Sequence, residues 1–215
     1  MKYFLDTEFL EYFIEDKRGK KFHTIDLLQI AIVREDGRMF HAINSEFDLE
    51  SCWMQEDDFV KEKILRKIFD KFIKDNKLVD FQFNMKNCKF VLNRLGVVKS
   101  AINGALNIWL EKDDDPKLYG YFADYDWVLF CSLYGRMIDL PSKFPKYCID
   151  LKQILDHTAE LVYPSMETKQ AIKILKETTD FPIQDKNEEH DARNDAKWNL
   201  KLFNYLQEFH EEPNW

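Results

Sequence analysis

The segment Phe4-Leu-Asp-Thr-Glu-Phe9 sets two carboxylates, Asp6 and Glu8, two residues apart in an apolar run. In a strand, side chains alternate between faces, so both acids point the same way, about 7 Å apart along the backbone. Two acids on the covered face of a central strand are costly unless something offsets their charge. Divalent cations do so: hard oxygen ligands suit magnesium or manganese, and one bridging carboxylate serves two ions about 4 Å apart. The competing reading is an edge strand with solvated acids, and the apolar neighbours argue against it.

A second group lies in Gly120-Tyr-Phe-Ala-Asp-Tyr-Asp-Trp-Val-Leu129, where a strand hands over to a helix, the position at which α/β folds build their sites. Asp124 and Asp126 are both candidates there. Asp124 reads as the helix N-cap, which leaves Asp126, in the first turn, as the preferred metal ligand. A third group is His190-Asp-Ala-Arg-Asn-Asp195. With Asp191 as cap, His190 stands just outside the helix and Asp195 falls in its first turn, where the dipole favours an anion. Asp195 can ligate metal, and His190, with an unperturbed pKa near about 6.5, can take a proton from water. His23, His41, His157 and His210 have no such company and read as surface or packing residues.

These groups need elements to hold them. Residues 2–9, 25–33 and 39–44 read as a three-stranded meander, with Glu35-Asp-Gly-Arg38 as its second turn. The apolar period over 57–74 predicts a helix, and further helices are expected over 90–95 and 101–110. A strand over 118–123 then leads into a helix over 126–134. Tyr147-Cys-Ile-Asp-Leu151 reads as a last short strand running into a helix, with two more helices over 166–177 and 191–208. Antiparallel strands followed by strands alternating with helices predict an α/β fold, a mixed sheet covered on both faces. At 215 residues, with neither a low-complexity run nor an internal repeat, the chain reads as a single domain, 1–215.

Composition narrows the function classes. No apolar stretch approaches the roughly 18 to 20 residues that span a bilayer, and the chain opens directly on a strand, so a soluble, cytoplasmic location without membrane contact is expected. The four cysteines show no CxxC pairing and read as reduced structural thiols. A net charge of −8 argues against gripping nucleic acid mainly by neutralising many phosphates. It leaves room for a carboxylate site whose cations meet a phosphate. The basic runs at 17–21 and 61–77 read first as solvated lysines on a turn and a helix face.

Asp-x-Glu near the start, an aromatic-Asp-apolar element mid-chain and His-x(4)-Asp near the end, in that order, resemble the three motifs of the DEDDh 3′-to-5′ exonucleases, a family with a ribonuclease H-like fold. Tyr3-Phe-Leu-Asp-Thr-Glu-Phe9, Asp124-Tyr-Asp-Trp-Val128, Leu133-Tyr-Gly-Arg-Met137, Asp139-Leu-Pro141, Asp150-Leu-Lys152 and His190-Asp-Ala-Arg-Asn-Asp-Ala-Lys-Trp198 further resemble the small bacterial polyadenylate-specific 3′-exoribonucleases. One local departure is His190-Asp191, where that family often has His-Asn.

The resemblance implies a five-stranded ribonuclease H-like sheet and a 3′-to-5′ exoribonuclease acting on single-stranded RNA or 3′ overhangs. Asp6, Glu8, Asp126 and Asp195 would hold two Mg2+ ions, with Mn2+ able to substitute, and His190 would deprotonate the attacking water. Products would be nucleoside 5′-monophosphates, and a homodimer is compatible with the family. Phe9, Leu10 and Glu11 would line a terminal-nucleotide pocket, while Tyr125 or Trp127 would stack on a base, although core packing is the simpler account of each aromatic. Asp150 matches a family position and reads equally as a helix cap. Competing expectations are a single-stranded DNA exonuclease with the same site and a catalytically silent scaffold that binds nucleic acid or protein. A calcium-binding structural domain would need the acids in one loop, whereas these are spread over three segments.

Overall fold

The computed structural model describes residues 1–209, so His210 lies outside the described residues. Its sheet has five strands in the order β3-β2-β1-β4-β5: β1 (Lys2–Glu15), β2 (Lys21–Arg34), β3 (Met39–Ile43), β4 (Lys117–Gly120) and β5 (Cys148–Asp150). β1 pairs antiparallel with β2, and β2 with β3, while β4 and β5 run parallel to β1. The result is the mixed α/β sheet of a ribonuclease H-like fold.

The first two strands run longer than their apolar cores, joined by a turn over 16–20 that carries part of the first basic run. At the second turn, the Arg34 amide donates to the Arg38 carbonyl at 2.8 Å, and Gly37 adopts φ 85°, a value that suits glycine. β4 stops at Gly120, three residues short of the expected strand end at 123. The rest of that apolar run becomes a tight turn into the next helix.

Among the described residues, eight α-helices cover the sheet: α1 (Leu49–Met54), α2 (Arg66–Asn76), α3 (Met85–Leu95), α4 (Lys99–Leu110), α5 (Asp124–Ser132), α6 (Leu151–Val162), α7 (Thr168–Lys176) and α8 (Ala192–Gln207). The short α1 was not anticipated from sequence. The helix expected over 57–74 is divided, with a π-helical segment Val60–Leu65 leading into α2. Both forms bring apolar residues round to one side every turn, so periodicity alone cannot separate them.

Alternation along β1 sorts the core. Tyr3 and Leu5 face α4 and α5, with Ile102, Leu106, Leu129 and Phe130. Phe4 faces the other way, onto α6, α7 and α8, with Leu155, Leu175, Leu202 and Phe203. A third cluster packs α1 to α3 and the π-helical segment against the far half of β1 and β2. Burying each such side chain contributes roughly 1.5–3 kcal/mol, so helix placement follows the two faces of the central strand. Asp6 and Glu8 share the face of Phe4, where α8 crosses.

Candidate active site

α8 is fixed to β1 by a buried contact: the Asn199 side chain, 1% exposed, donates to the Leu5 carbonyl at 2.9 Å. That contact sets the first turn of α8 beside Asp6 and Glu8. Asp191 caps the helix by accepting from the Arg193 amide at 3.1 Å. Asp195 follows in the first turn, and the His190 amide donates to its Oδ2 at 2.9 Å, while the Gln184 amide donates to its Oδ1. His190 lies just before the cap with φ 62°.

Among the described residues, Glu8, His190 and Asp195 each present one ligand atom, and all three atoms lie within 4.8 Å of one another. Asp6, His190, Asp195 and Asn199 line a cleft of about 430 Å³ whose remaining wall includes Tyr121, Phe181, Pro182, Ile183 and Trp198. On the other side of Glu8, a second cleft of about 420 Å³ is lined by Phe9, Glu11, Gln55, Phe59 and Val60.

Asp126 approaches β1 from the opposite face. It is buried in α5, and one of its oxygens accepts both the backbone N–H of Thr7, at 2.8 Å, and the Thr7 hydroxyl, at 2.5 Å. Thr7 points away from Asp6 and Glu8 by strand alternation, so the third acid grips the residue between the first two. Asp124 does not cap α5 as expected. The N-cap is Ala123, without a side-chain bond, and Asp124 is the exposed first residue of the helix. The early end of β4 shifts the helix start by one residue and removes Asp124 from the capping position.

Burial, with neighbouring acids, raises the proton affinity of all four acids. Burial, then the charges of Asp126, Asp195 and Glu8, hold Asp6 well above the ordinary carboxylate range. Burial and Asp195 push Glu8 up to about 9. Burial raises Asp126 to about 7 against the pull of the Thr7 hydroxyl and amide, and raises Asp195 to about 7 against the His190 amide. Burial and Lys67 push His190 below its usual value. A group of carboxylates that hold their protons above the ordinary range is the electrostatic state that a divalent cation relieves. Its donor set, carboxylate oxygens with one imidazole nearby, fits magnesium or manganese.

Contacts invisible in the sequence hold His190. The Phe59 ring meets it edge-on at 4.9 Å between centroids, and the Lys67 ammonium donates to the carbonyl of Glu189. Elsewhere in the basic run Lys71 pairs with Asp75 at 3.1 Å, as expected of a solvated helix face, whereas Lys61 lies over the Trp53 ring and Arg66, paired with Glu62 at 2.6 Å, over the Phe83 ring.

The expected nucleotide-pocket residues separate. Phe9 and Glu11 line the second cleft, and Tyr125, 44% exposed, packs its ring on Phe9 at 5.4 Å. Leu10 does not join them. It is fully buried in the third core cluster, because the strand face beyond Glu8 is roofed by α1 to α3. Trp127 stacks on Phe130 at 5.6 Å against the core and lines neither cleft. Asp150 caps α6, accepting from the Lys152 amide at 2.6 Å, and also receives the Phe122 amide at 3.3 Å. His41 bonds Gln29 at 3.1 Å and His23 packs on Phe13.

Two curated proteins of Mycobacterium tuberculosis, from the CDC 1551 / Oshkosh and H37Rv strains, are each 30% identical to this chain over 156 residues, covering 72% of it and 73% of the relative. Both are named 3′-5′ exoribonuclease. The chain belongs to this exoribonuclease family. No protein-family model matches it. No helix among the described residues is long and apolar enough to cross a membrane.

Proposed function

We propose that this chain is a divalent-metal-dependent 3′-to-5′ exoribonuclease of the DEDDh type, related to the small polyadenylate-specific enzymes, acting in the cytoplasm on single-stranded RNA or 3′ overhangs. The observation that carries the reading is the convergence of Glu8, His190 and Asp195 within 4.8 Å, beside Asp6, in a chain belonging to an exoribonuclease family. Asp6, Glu8, Asp126 and Asp195 would hold two Mg2+ or Mn2+ ions. When bound, such ions supply positive charge against the scissile phosphate and the leaving oxygen.

The protein's own groups do the rest. His190, kept neutral near pH 7 by burial and by Lys67, accepts a proton from the attacking water. The water oxygen bonds to phosphorus, the bond from phosphorus to the 3′ oxygen of the upstream nucleotide breaks, and that oxygen takes up a proton. A nucleoside 5′-monophosphate leaves, and the shortened strand keeps a 3′-hydroxyl. Thr7 holds Asp126, and Gln184 with the His190 amide holds Asp195, so the acids are placed before substrate arrives. The second cleft, with Phe9 and Glu11 at its wall and Tyr125 against Phe9, would receive the terminal nucleoside.

The test is a time course on 5′-labelled single-stranded RNA and its DNA counterpart with magnesium, manganese or EDTA. A metal-dependent ladder shortening from the 3′ end, faster on RNA, is expected. Equal or faster shortening of DNA would reassign the substrate. No shortening of either strand by folded protein would leave a nucleic-acid-binding scaffold.

A further inference from the structure

Phe122 is 63% exposed and holds φ 55°. The backbone is the unusual feature: a left-handed conformation at a bulky residue that is neither glycine nor Asn or Asp. The cause is the early end of β4. A Cβ on Gly120 would come within 2.8 Å of the Ala123 Cβ, so the turn over 120–123 closes too tightly for any other residue at its start and passes the reversal to Phe122. Asp150 holds the strained residue in place by accepting its amide at 3.3 Å. Backbone strain retained by specific bonds is a feature of functional sites.

What the strain achieves is the position of the ring. Phe122 meets Tyr121 edge-on at 4.8 Å, and Tyr121 meets Trp198 edge-on at 5.0 Å. Tyr121 and Trp198 are walls of the cleft that contains Asp6, His190 and Asp195. Phe122 is therefore the outermost of three aromatic rings leading from the acids to the surface. The Lys152 ammonium lies 5.7 Å from the centre of its ring but is paired with Asp156 at 2.6 Å, so it flanks the ring as one half of an ion pair. An exposed aromatic continuous with an acidic cleft suits a stacked base.

Resting on the exoribonuclease reading, we infer that Phe122 is the stacking platform for a base of single-stranded RNA upstream of the scissile phosphate. Phe122 touches no reacting atom in this role. It governs how strongly a strand with more than one base is held, and it leaves the chemical step to the acids.

The experiment compares wild type, Phe122→Ala, Phe122→Tyr and Phe122→Asn on a short single-stranded RNA and on the p-nitrophenyl ester of thymidine 5′-monophosphate, which has no upstream base. Phe122→Ala should raise KM for RNA about tenfold, the range expected for one lost base–aromatic stack, with kcat held. Phe122→Tyr should restore KM. Phe122→Asn, which tolerates the left-handed backbone, should lose the RNA contact with no loss of thermal stability. None of the three should change hydrolysis of the ester. An unchanged KM for RNA in Phe122→Ala, or equal losses on RNA and ester, would overturn the platform while leaving the nuclease intact. Wild type inactive on both substrates would instead overturn the exoribonuclease reading, and the platform with it.

Discussion

Thr7 gives its backbone N–H and its hydroxyl to the same oxygen of Asp126, at 2.8 and 2.5 Å, tying an acid on α5 to the strand that carries Asp6 and Glu8. The hydroxyl bond joins two buried groups, and both bonds draw the Asp126 pKa down against its burial. Thr7→Val keeps the shape and the amide bond but removes the hydroxyl. It should cost about 1–2 kcal/mol of stability in denaturant titration, the usual cost of leaving a buried acceptor short of a donor. Activity should fall with it and recover in part at higher magnesium.

The raised carboxyl pKa values set the pH dependence of the metal-free protein. Glu8 near about 9 and Asp126 and Asp195 near about 7 hold protons in the folded state that they release near about 4 when unfolded. Between those limits the folded chain binds more protons, so stability from these groups is greatest at low pH and falls as pH rises from about 4 through about 9. Asp191 has the opposite sign: Arg193 outweighs its burial and lowers its pKa, and its contribution is lost only as pH falls below the ordinary carboxylate range. In EDTA the melting temperature should therefore be higher at mildly acidic pH than at pH 8. Added Mn2+ should raise it more at pH 8 than at pH 5. A metal-free melting curve that rises steadily toward pH 8 would contradict the mutual repulsion of these acids.

Removing one of the crowded charges should stabilise the empty site while abolishing its function. In EDTA near pH 8, Asp6→Asn is expected to melt about 2–4 °C above wild type, as relief of about 1 kcal/mol produces in a chain of this size. Hydrolysis of RNA should be lost. Calorimetry in EDTA beside an activity assay in magnesium checks both halves.

His190 is held from the side by Phe59 at 4.9 Å and through its neighbour Glu189 by Lys67. Both residues come from the divided helix, so the π-helical segment between them affects how the histidine is presented. Phe59→Ala or Lys67→Met should lower kcat by about 10- to 100-fold, the scale of a misplaced catalytic group. Placed on a His190→Ala background, either change should cost almost nothing further, because the group it positions is gone. A full additional loss there would assign Phe59 to the second cleft, which it also lines.

The acids were legible because short-range rules place them. Period-two alternation puts Asp6 and Glu8 on one face, and the cap at Asp191 puts His190 outside α8 and Asp195 within its first turn. Their supports were not legible. The partners Thr7 and Asp126 are 119 residues apart, and Lys67 and Glu189 are 122 apart, so neither pairing leaves a local pattern. Leu10 was misplaced because alternation gives a side chain's face but not which helices cover that face. Asp124 was misread as a cap because the apolar run through Ala123 conceals the point at which β4 ends and the tight turn begins.

The most direct test of the central claim separates holding the ions from moving the proton. Mn2+ binding by calorimetry and cleavage of 5′-labelled RNA would be measured on wild type, Asp6→Ala and His190→Ala. Wild type should bind manganese and shorten RNA from its 3′ end, Asp6→Ala should lose both, and His190→Ala should keep manganese binding while losing cleavage. If Asp6→Ala still binds manganese and cleaves like wild type, or if His190→Ala cleaves at the wild-type rate, the assignment of roles at this site is wrong.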